Sequence, residues 1–172
     1  ISEDIIYEES ESAKQIIWQC NEENIKILTI FDIDYPNNLR QIKDAPSIIF
    51  IKGNISILNT QTICIIGTRE PNENGIKITQ RVADHYKQKK WNICNGLAAG
   101  IDTAAIQTND NFYSNVIGVV AGGLNYNSKK TLLKKSSINA EKVIESGGVI
   151  ISEFPPDKKE DTFSVVKSCR LQ

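Results

Sequence analysis

Ile93–Ile106 reads ICNGLAAGIDTAAI. A β-branched, apolar start gives way to small residues, then to Gly100-Ile101-Asp102 and an alanine-rich run. That is the pattern of a strand, a tight glycine-bearing loop and the first turns of a helix. The small residues bring the backbone close to something, and a ligand is one candidate.

The same unit recurs on both sides. Ile63–Ile66 is a short apolar run, expected to be a strand covered on both faces. Asn74–Lys89 reads as a helix, with Ile76, Val82, Ala83 and Tyr86 spaced for one buried face. Trp91–Cys94 is the next strand and Gly100–Gln107 the next helix. Asn115–Ala121 is a third strand, centred on Val116–Val120. Ser136–Ser146 is a helix that closes at Gly147-Gly148, and Val149–Ser152 is a fourth strand. Strands alternating with helices imply an α/β, Rossmann-like three-layer domain, with a mostly parallel sheet and helices on both faces. Upstream, residues 9–23 read as a helix carrying Ile16, Ile17 and Cys20 on one stripe, with Ser10 or Ser12 as caps. Lys26–Ile30 and Ile48–Lys52 read as strands, separated by a turn at Tyr35-Pro36 and a helical turn through Leu39 and Ile42. The expected organisation is an N-terminal helical extension over residues 1–30 and a Rossmann-like domain over 31–172.

Bulk properties set limits. The chain has 172 residues, 40% hydrophobic and 24% charged, the balance of an ordinary globular domain. No apolar run reaches the ~20 residues that span a bilayer, so no membrane association is expected. The net charge of −1 hides an asymmetry. Residues 1–24 hold seven acids against Lys14 alone, whereas the rest holds 19 basic and 14 acidic side chains. A mildly basic body suits a polyanion, although simple solvation explains it equally well. Four cysteines, none in a CxxC spacing, argue against a zinc site and fit a reducing, cytoplasmic setting; Cys64 and Cys94, inside apolar runs, read as core thiols. The chain opens on Ile1 rather than methionine, and its C-terminal end is expected to be truncated.

In such sheets, ligands bind beyond the carboxyl ends of the strands, at a switch point. Gly67-Thr68-Arg69 follows the first strand, Asn95-Gly96-Leu97-Ala98 and Gly100-Ile101-Asp102 the second, and Gly122-Gly123 the third. Glycine lets backbone N–H groups approach phosphate, and Arg69 adds a forked cation. The alternative is that these glycines merely turn the chain. Neither GxGxxG nor GxxxxGK[ST] is present, so no nucleotide cofactor is expected. With His85 as the one histidine, no Ser-His-Asp or Cys-His arrangement is available, and no metal site is expected. Asp102 and Glu153 are the acids in glycine-rich loops; they could serve acid–base chemistry, or Asp102 could brace its loop through backbone N–H groups.

Taken together, Gly67-Thr68-Arg69, Asn95–Asp102 and Ser146–Pro156 resemble the DNA-processing protein A family, DprA or Smf. Tyr35–Leu39, Ala45-Pro46 and Phe50–Gly53 match the lead-in of that family, and the resemblance covers roughly residues 30–172. It implies a non-catalytic binder of single-stranded DNA. That family protects incoming strands during natural transformation and helps load a RecA-type recombinase, usually as a homodimer. It also sits in a wider Rossmann-like group of nucleotide sensors and nucleotide-processing enzymes, with phage defence as one possible context. On this resemblance Arg69 contacts phosphate, with Gly67, Thr68, Asn95, Gly96, Leu97, Ala98, Gly100, Asp102, Gly122 and Gly123 around it. Lys129, Lys130 and Arg170 border the pocket, and Tyr126 stacks on a base. Lys129, Lys130, Lys134 and Lys135 could equally form a solvated helix face. The chain departs from the family at Asn95, where serine is usual, at Ile106, where histidine is usual, and at Asn127, where a tyrosine–proline pair is usual. The arginine-rich signature survives only as Ser168-Cys169-Arg170-Leu171-Gln172.

Overall fold

The computed structural model describes residues 3–108, 111–112 and 114–172. In chain order its elements are α1 (Glu3–Glu22), β1 (Lys26–Thr29), α2 (Asn37–Arg40), β2 (Ile48–Gly53), a 3₁₀ turn (Ile55–Ile57) and β3 (Thr62–Cys64). They continue with α3 (Glu73–Gln88), β4 (Asn92–Asn95), α4 (Ile101–Ile106), a small hairpin of β5 (Gln107–Thr108) and β6 (Asn111–Phe112), and β7 (Val116–Val119). The last are α5 (Tyr126–Lys129), α6 (Lys134–Glu145), β8 (Val149–Ser152), α7 (Thr162–Ser168) and a closing 3₁₀ turn (Cys169–Leu171).

Six strands form one sheet in the order β1-β2-β8-β7-β4-β3. The four strands expected from the alternating pattern are mutually parallel, and β2 and β1 extend the sheet antiparallel on the β8 side. β1, which the sequence placed with the N-terminal extension, therefore pairs into the same sheet as the rest.

The strand order explains the two faces. From β3 through β4 and β7 to β8 the chain always steps the same way across the sheet. Right-handed crossovers that step one way put their helices on one face. Accordingly Ala83 of α3, Ala105 and Ile106 of α4, Tyr126 of α5 and Ala140 and Val143 of α6 share one core with Ile93, Val116 and Ile150. The other core, around Ile49, Cys94, Ile117, Val119 and Ile151, is covered by Tyr35, Leu39, Leu58 and Leu171 from short turns. Helices flank both faces, but one layer is thick and the other thin. The parallel strands show no reversal of order, so the expected switch point is absent. Instead the segment after β8 crosses to the thin face and closes the carboxyl end of the sheet.

Three local expectations are corrected. α1 begins at Glu3 rather than at residue 9, so Ser10 and Ser12 lie inside it and cap nothing. Only Cys20 of the expected stripe is buried, whereas Ile17 is 51% exposed. β3 is an edge strand, so Ile66 just beyond it is 57% exposed rather than covered.

Candidate functional site

At the carboxyl ends of β3, β4 and β7 lies a cleft of about 290 Å³. Its walls are Gly67 and Arg69 after β3, Gly96, Ala98 and Asp102 after β4, and Val119–Ala121 at the end of β7. Ser136 of α6 adds to them, and Glu160, Val165, Ser168, Cys169 and Gln172 roof the cleft from the segment after β8. The loops after the first two strands are therefore brought together as expected. Of the roofing residues, Ser168, Cys169 and Gln172 belong to the expected signature stretch, whereas Glu160 and Val165 carried no motif, since their place depends on where the chain goes after β8.

The loop after β4 is held by its own side chains. The Asp102 carboxylate accepts hydrogen bonds from the backbone N–H of Gly96 (2.9 Å) and Ala98 (3.3 Å), with a further backbone bond from Gly67. The Asn95 side chain accepts from Leu97 N–H (3.0 Å) and donates to Asp102 O (3.0 Å). Asn139 of α6 donates to Leu97 O, and Thr103 donates to Ala98 O. Asp102 is 4% exposed. Burial raises its carboxyl above the usual range, against the pull of the three backbone bonds and of Arg69. The N–H groups expected to receive phosphate are therefore already bonded: an internal carboxylate occupies the anion seat of this loop. Asp102 braces the loop, as the second reading of the sequence allowed.

The glycines answer to the same packing. Gly100 has φ +84°, and a Cβ there would stand 2.3 Å from Thr68 O. Ile101 N–H donates to Thr68 O (3.1 Å), so the loops after β3 and β4 are stitched backbone to backbone. A Cβ on Gly123 would meet Pro156 O at 2.1 Å, and one on Gly122 would meet Thr131 O at 2.3 Å. These glycines admit neighbouring chain, not ligand.

Arg69 stands apart. It is exposed, and among the described residues no carboxylate pairs with it and no side-chain hydrogen bond holds it. It also borders a second groove, lined by Glu70, Gln80, Gly100, Thr103, Gln107 and Lys135 among others. Arg69 thus lines both depressions.

Other expected residues lie elsewhere. Tyr126 is 3% exposed within the core, under Lys52; burial, with Glu141 and Glu23 nearby, pushes the phenol up. A ring enclosed this way is not placed to stack on a base. Arg170 grips Glu153 through two bonds of 2.7 Å and reaches Asp44 at 2.9 Å. Glu153 is 3% exposed and also meets Lys167 at 3.2 Å. Burial opposes the Glu153 charge, but Arg170 and Lys167 outweigh it and lower its carboxyl below the usual value. Lys129 and Lys130 border neither depression, whereas Lys135 does.

Residues 26–171 match the family model of DNA recombination-mediator protein A. The chain belongs to that family. It is 29% identical over 146 residues to DNA processing protein DprA of Bacillus subtilis, covering 84% of this chain and 48% of that one. It is likewise 29% identical over 131 residues to DprA of Streptococcus pneumoniae, covering 76% and 44%. The chain spans about half the length of the curated relatives it matches. The crystal structure of the Streptococcus pneumoniae protein superposes with a TM-score of 0.73 at 27% identity, over 86% of this chain and 50% of that one. DNA processing protein A of Helicobacter pylori, studied for its unique mode of binding single-stranded DNA, shares the fold with a TM-score of 0.69 at 23% identity, over 87% and 65%.

The two positions expected from the resemblance to depart from the family, Asn95 and Ile106, are both buried. Asn95 is 0% exposed and knits its loop, and Ile106 is 0% exposed in the thick-face core. Both have work inside the fold.

Proposed function

We propose that this chain is a non-catalytic module that binds single-stranded DNA along the carboxyl edge of its parallel sheet, with Arg69 as the main anion contact. The observation that carries this reading is Arg69, which pairs with no carboxylate among the described residues and lines both the cleft and the Lys135 groove. A phosphodiester chain needs a track rather than a closed pocket, and two depressions joined at a cation offer one. Gly67 and Thr68 carry Arg69, while Asn95, Gly96, Leu97, Ala98, Gly100 and Asp102 keep its platform rigid. Gly123 packs against the Pro155-Pro156 segment and Gly122 against Thr131. Within its family's work the whole protein would protect single strands and pass them to a RecA-type recombinase, as a cytoplasmic homodimer.

Two engaged carboxylates support a binding role over a hydrolytic one. Asp102 is committed to backbone N–H groups and Glu153 to Arg170 and Lys167, so neither is poised beside a nucleophile.

Labelled oligo-dT in a fluorescence-anisotropy titration across a salt series tests the reading. Arg69→Ala should weaken binding by about 1.5–3 kcal/mol, the range for a hydrogen bond to a charged group. The loss should be the same for every base sequence, because phosphate carries no sequence information. The salt slope should flatten by roughly 0.7, the share of one single-strand phosphate that the protein no longer neutralises. An unchanged affinity in the folded variant would refute the assignment.

One observation favours a second reading, a nucleotide sensor. The roofed cleft contains Ser168, 2% exposed, whose hydroxyl has no partner. Mononucleotides that compete with oligo-dT at equal concentration would support the sensor; oligonucleotides that bind far more tightly support the DNA module.

A further inference from the structure

Cys64 ends β3, Cys94 sits one residue from the end of β4, and the parallel ladder sets them directly opposite each other. Adjacent strands lie about 4.7–4.9 Å apart. That separation falls inside the roughly 4.4–6.8 Å between Cα atoms that a disulfide spans. Paired residues of neighbouring strands project to the same face, so the ladder sets the two thiols side by side. Cys94 is 5% exposed within the thin-face core, whereas Cys64 is open to solvent. The strand order is the cause: every crossover helix packs on the opposite face, and β3 is the sheet edge.

The pair is asymmetric. The neighbouring Cys94 lowers the Cys64 thiol below its usual value, while Cys64 and burial raise Cys94 well above it. An accessible sulfur beside a buried partner thiol is the arrangement of a peroxide-reactive cysteine and its resolving thiol.

We propose that Cys64 and Cys94 form a peroxide-reactive dithiol that closes reversibly into a cross-strand disulfide. The Cys64 thiolate attacks one oxygen of hydrogen peroxide and the O–O bond breaks. Cys64 becomes a sulfenic acid, and the departing hydroxide takes a proton to leave as water. The Cys94 sulfur then attacks the Cys64 sulfur, the S–OH bond breaks, and the hydroxide leaves as a second water with the Cys94 proton. Two thiols and one peroxide thus give one disulfide and two waters. As an edge strand, β3 can shift to bring the sulfurs within bonding distance. Because Gly67–Arg69 and Asn95–Ala98 follow these two strands directly, the bond fixes the spacing of the loops that bound the cleft.

The test is intact mass and peptide mapping of the reduced chain after a small molar excess of hydrogen peroxide. The expected result is loss of the mass of two hydrogens, one peptide joining Cys64 to Cys94, and full reversal by dithiothreitol. Cys94→Ser should instead leave a dimedone-reactive sulfenic acid on Cys64. Cys64→Ser, a change at an exposed position, should form no internal bond while keeping its circular dichroism spectrum. Oxygen addition at Cys64 of the unaltered chain with no Cys64–Cys94 peptide, or crosslinking through Cys169 instead, would overturn the proposal.

Discussion

Replacing Arg170 by alanine should weaken the fold and leave DNA binding unchanged. The Glu153 carboxylate is 3% exposed and holds two bonds of 2.7 Å from Arg170; its remaining partner, Lys167, is 43% exposed at 3.2 Å. Removing one partner of a fully buried ion pair costs about 3–5 kcal/mol, because the other charge stays buried and uncompensated. Arg170 is itself 20% exposed and Lys167 persists, so the expected loss is near the low end, about 2–3 kcal/mol. A domain with about 5–15 kcal/mol of stability survives that loss. Urea unfolding at pH 7 would read it as an earlier midpoint by roughly 1 M, for a slope of about 1–3 kcal/mol/M. The pH dependence carries the mechanism. In the native chain the folded Glu153 carboxyl lies below its ordinary value of 4.5, so its stabilisation is present above that pH and is lost as pH falls through the folded value. In Arg170→Ala, burial dominates and the folded value rises above 4.5, so the carboxyl destabilises at neutral pH and the deficit closes in acid. The deficit should therefore be largest near neutrality and shrink below pH 4.5. Glu153→Gln should remove most of the effect of Arg170→Ala in a double-mutant cycle. A pH-independent change under ~0.5 kcal/mol, typical of a surface substitution, together with weakened oligo-dT binding, would refute this account and return Arg170 to the DNA surface.

Tyr126→Phe deletes a buried hydroxyl beside Glu141 and should cost less in thermal melts than Tyr126→Ala, which should cost about 3–5 kcal/mol, as for other buried aromatics. Neither should change oligo-dT affinity in protein that remains folded, and a selective affinity loss in Tyr126→Phe would put the ring back in the binding surface. Gly100→Ala forces a side chain into φ +84° against Thr68 O, so calorimetry should show a lower Tm, with about 1–3 kcal/mol lost to backbone strain alone. An unchanged Tm there would mean that the two loops are not stitched as described. Asp102→Asn removes a buried charge whose folded pKa lies above its ordinary value of 3.8. A raised acid stabilises most at low pH and loses that contribution as pH rises. The destabilisation caused by Asp102→Asn should therefore shrink as pH rises from 3.8 in parallel urea titrations, and one that grew with pH would contradict it.

The parallel strands and their helices were legible in the sequence because their signals are local. A β-branched run such as Ile63–Ile66, an amphipathic period such as Asn74–Lys89 and a glycine pair such as Gly147-Gly148 each act within a few residues. The order of Gly67-Thr68-Arg69, Asn95–Asp102 and the Pro155-Pro156 segment sufficed for the family, since a loop after a strand must fall at the sheet's carboxyl edge. What each side chain does there was decided only in three dimensions. Whether the N–H groups of Gly96 and Ala98 face a ligand depends on where the Asp102 carboxylate lands. Whether Tyr126 stacks on a base or fills the core depends on which face α5 covers. Arg170, so like a DNA contact in the sequence, is claimed by a glutamate 17 residues earlier. Arg69 stays exposed, with no ion pair among the described residues. Competition between partners distant in sequence, settled by burial and by the one-way strand order, has no signature in a local pattern.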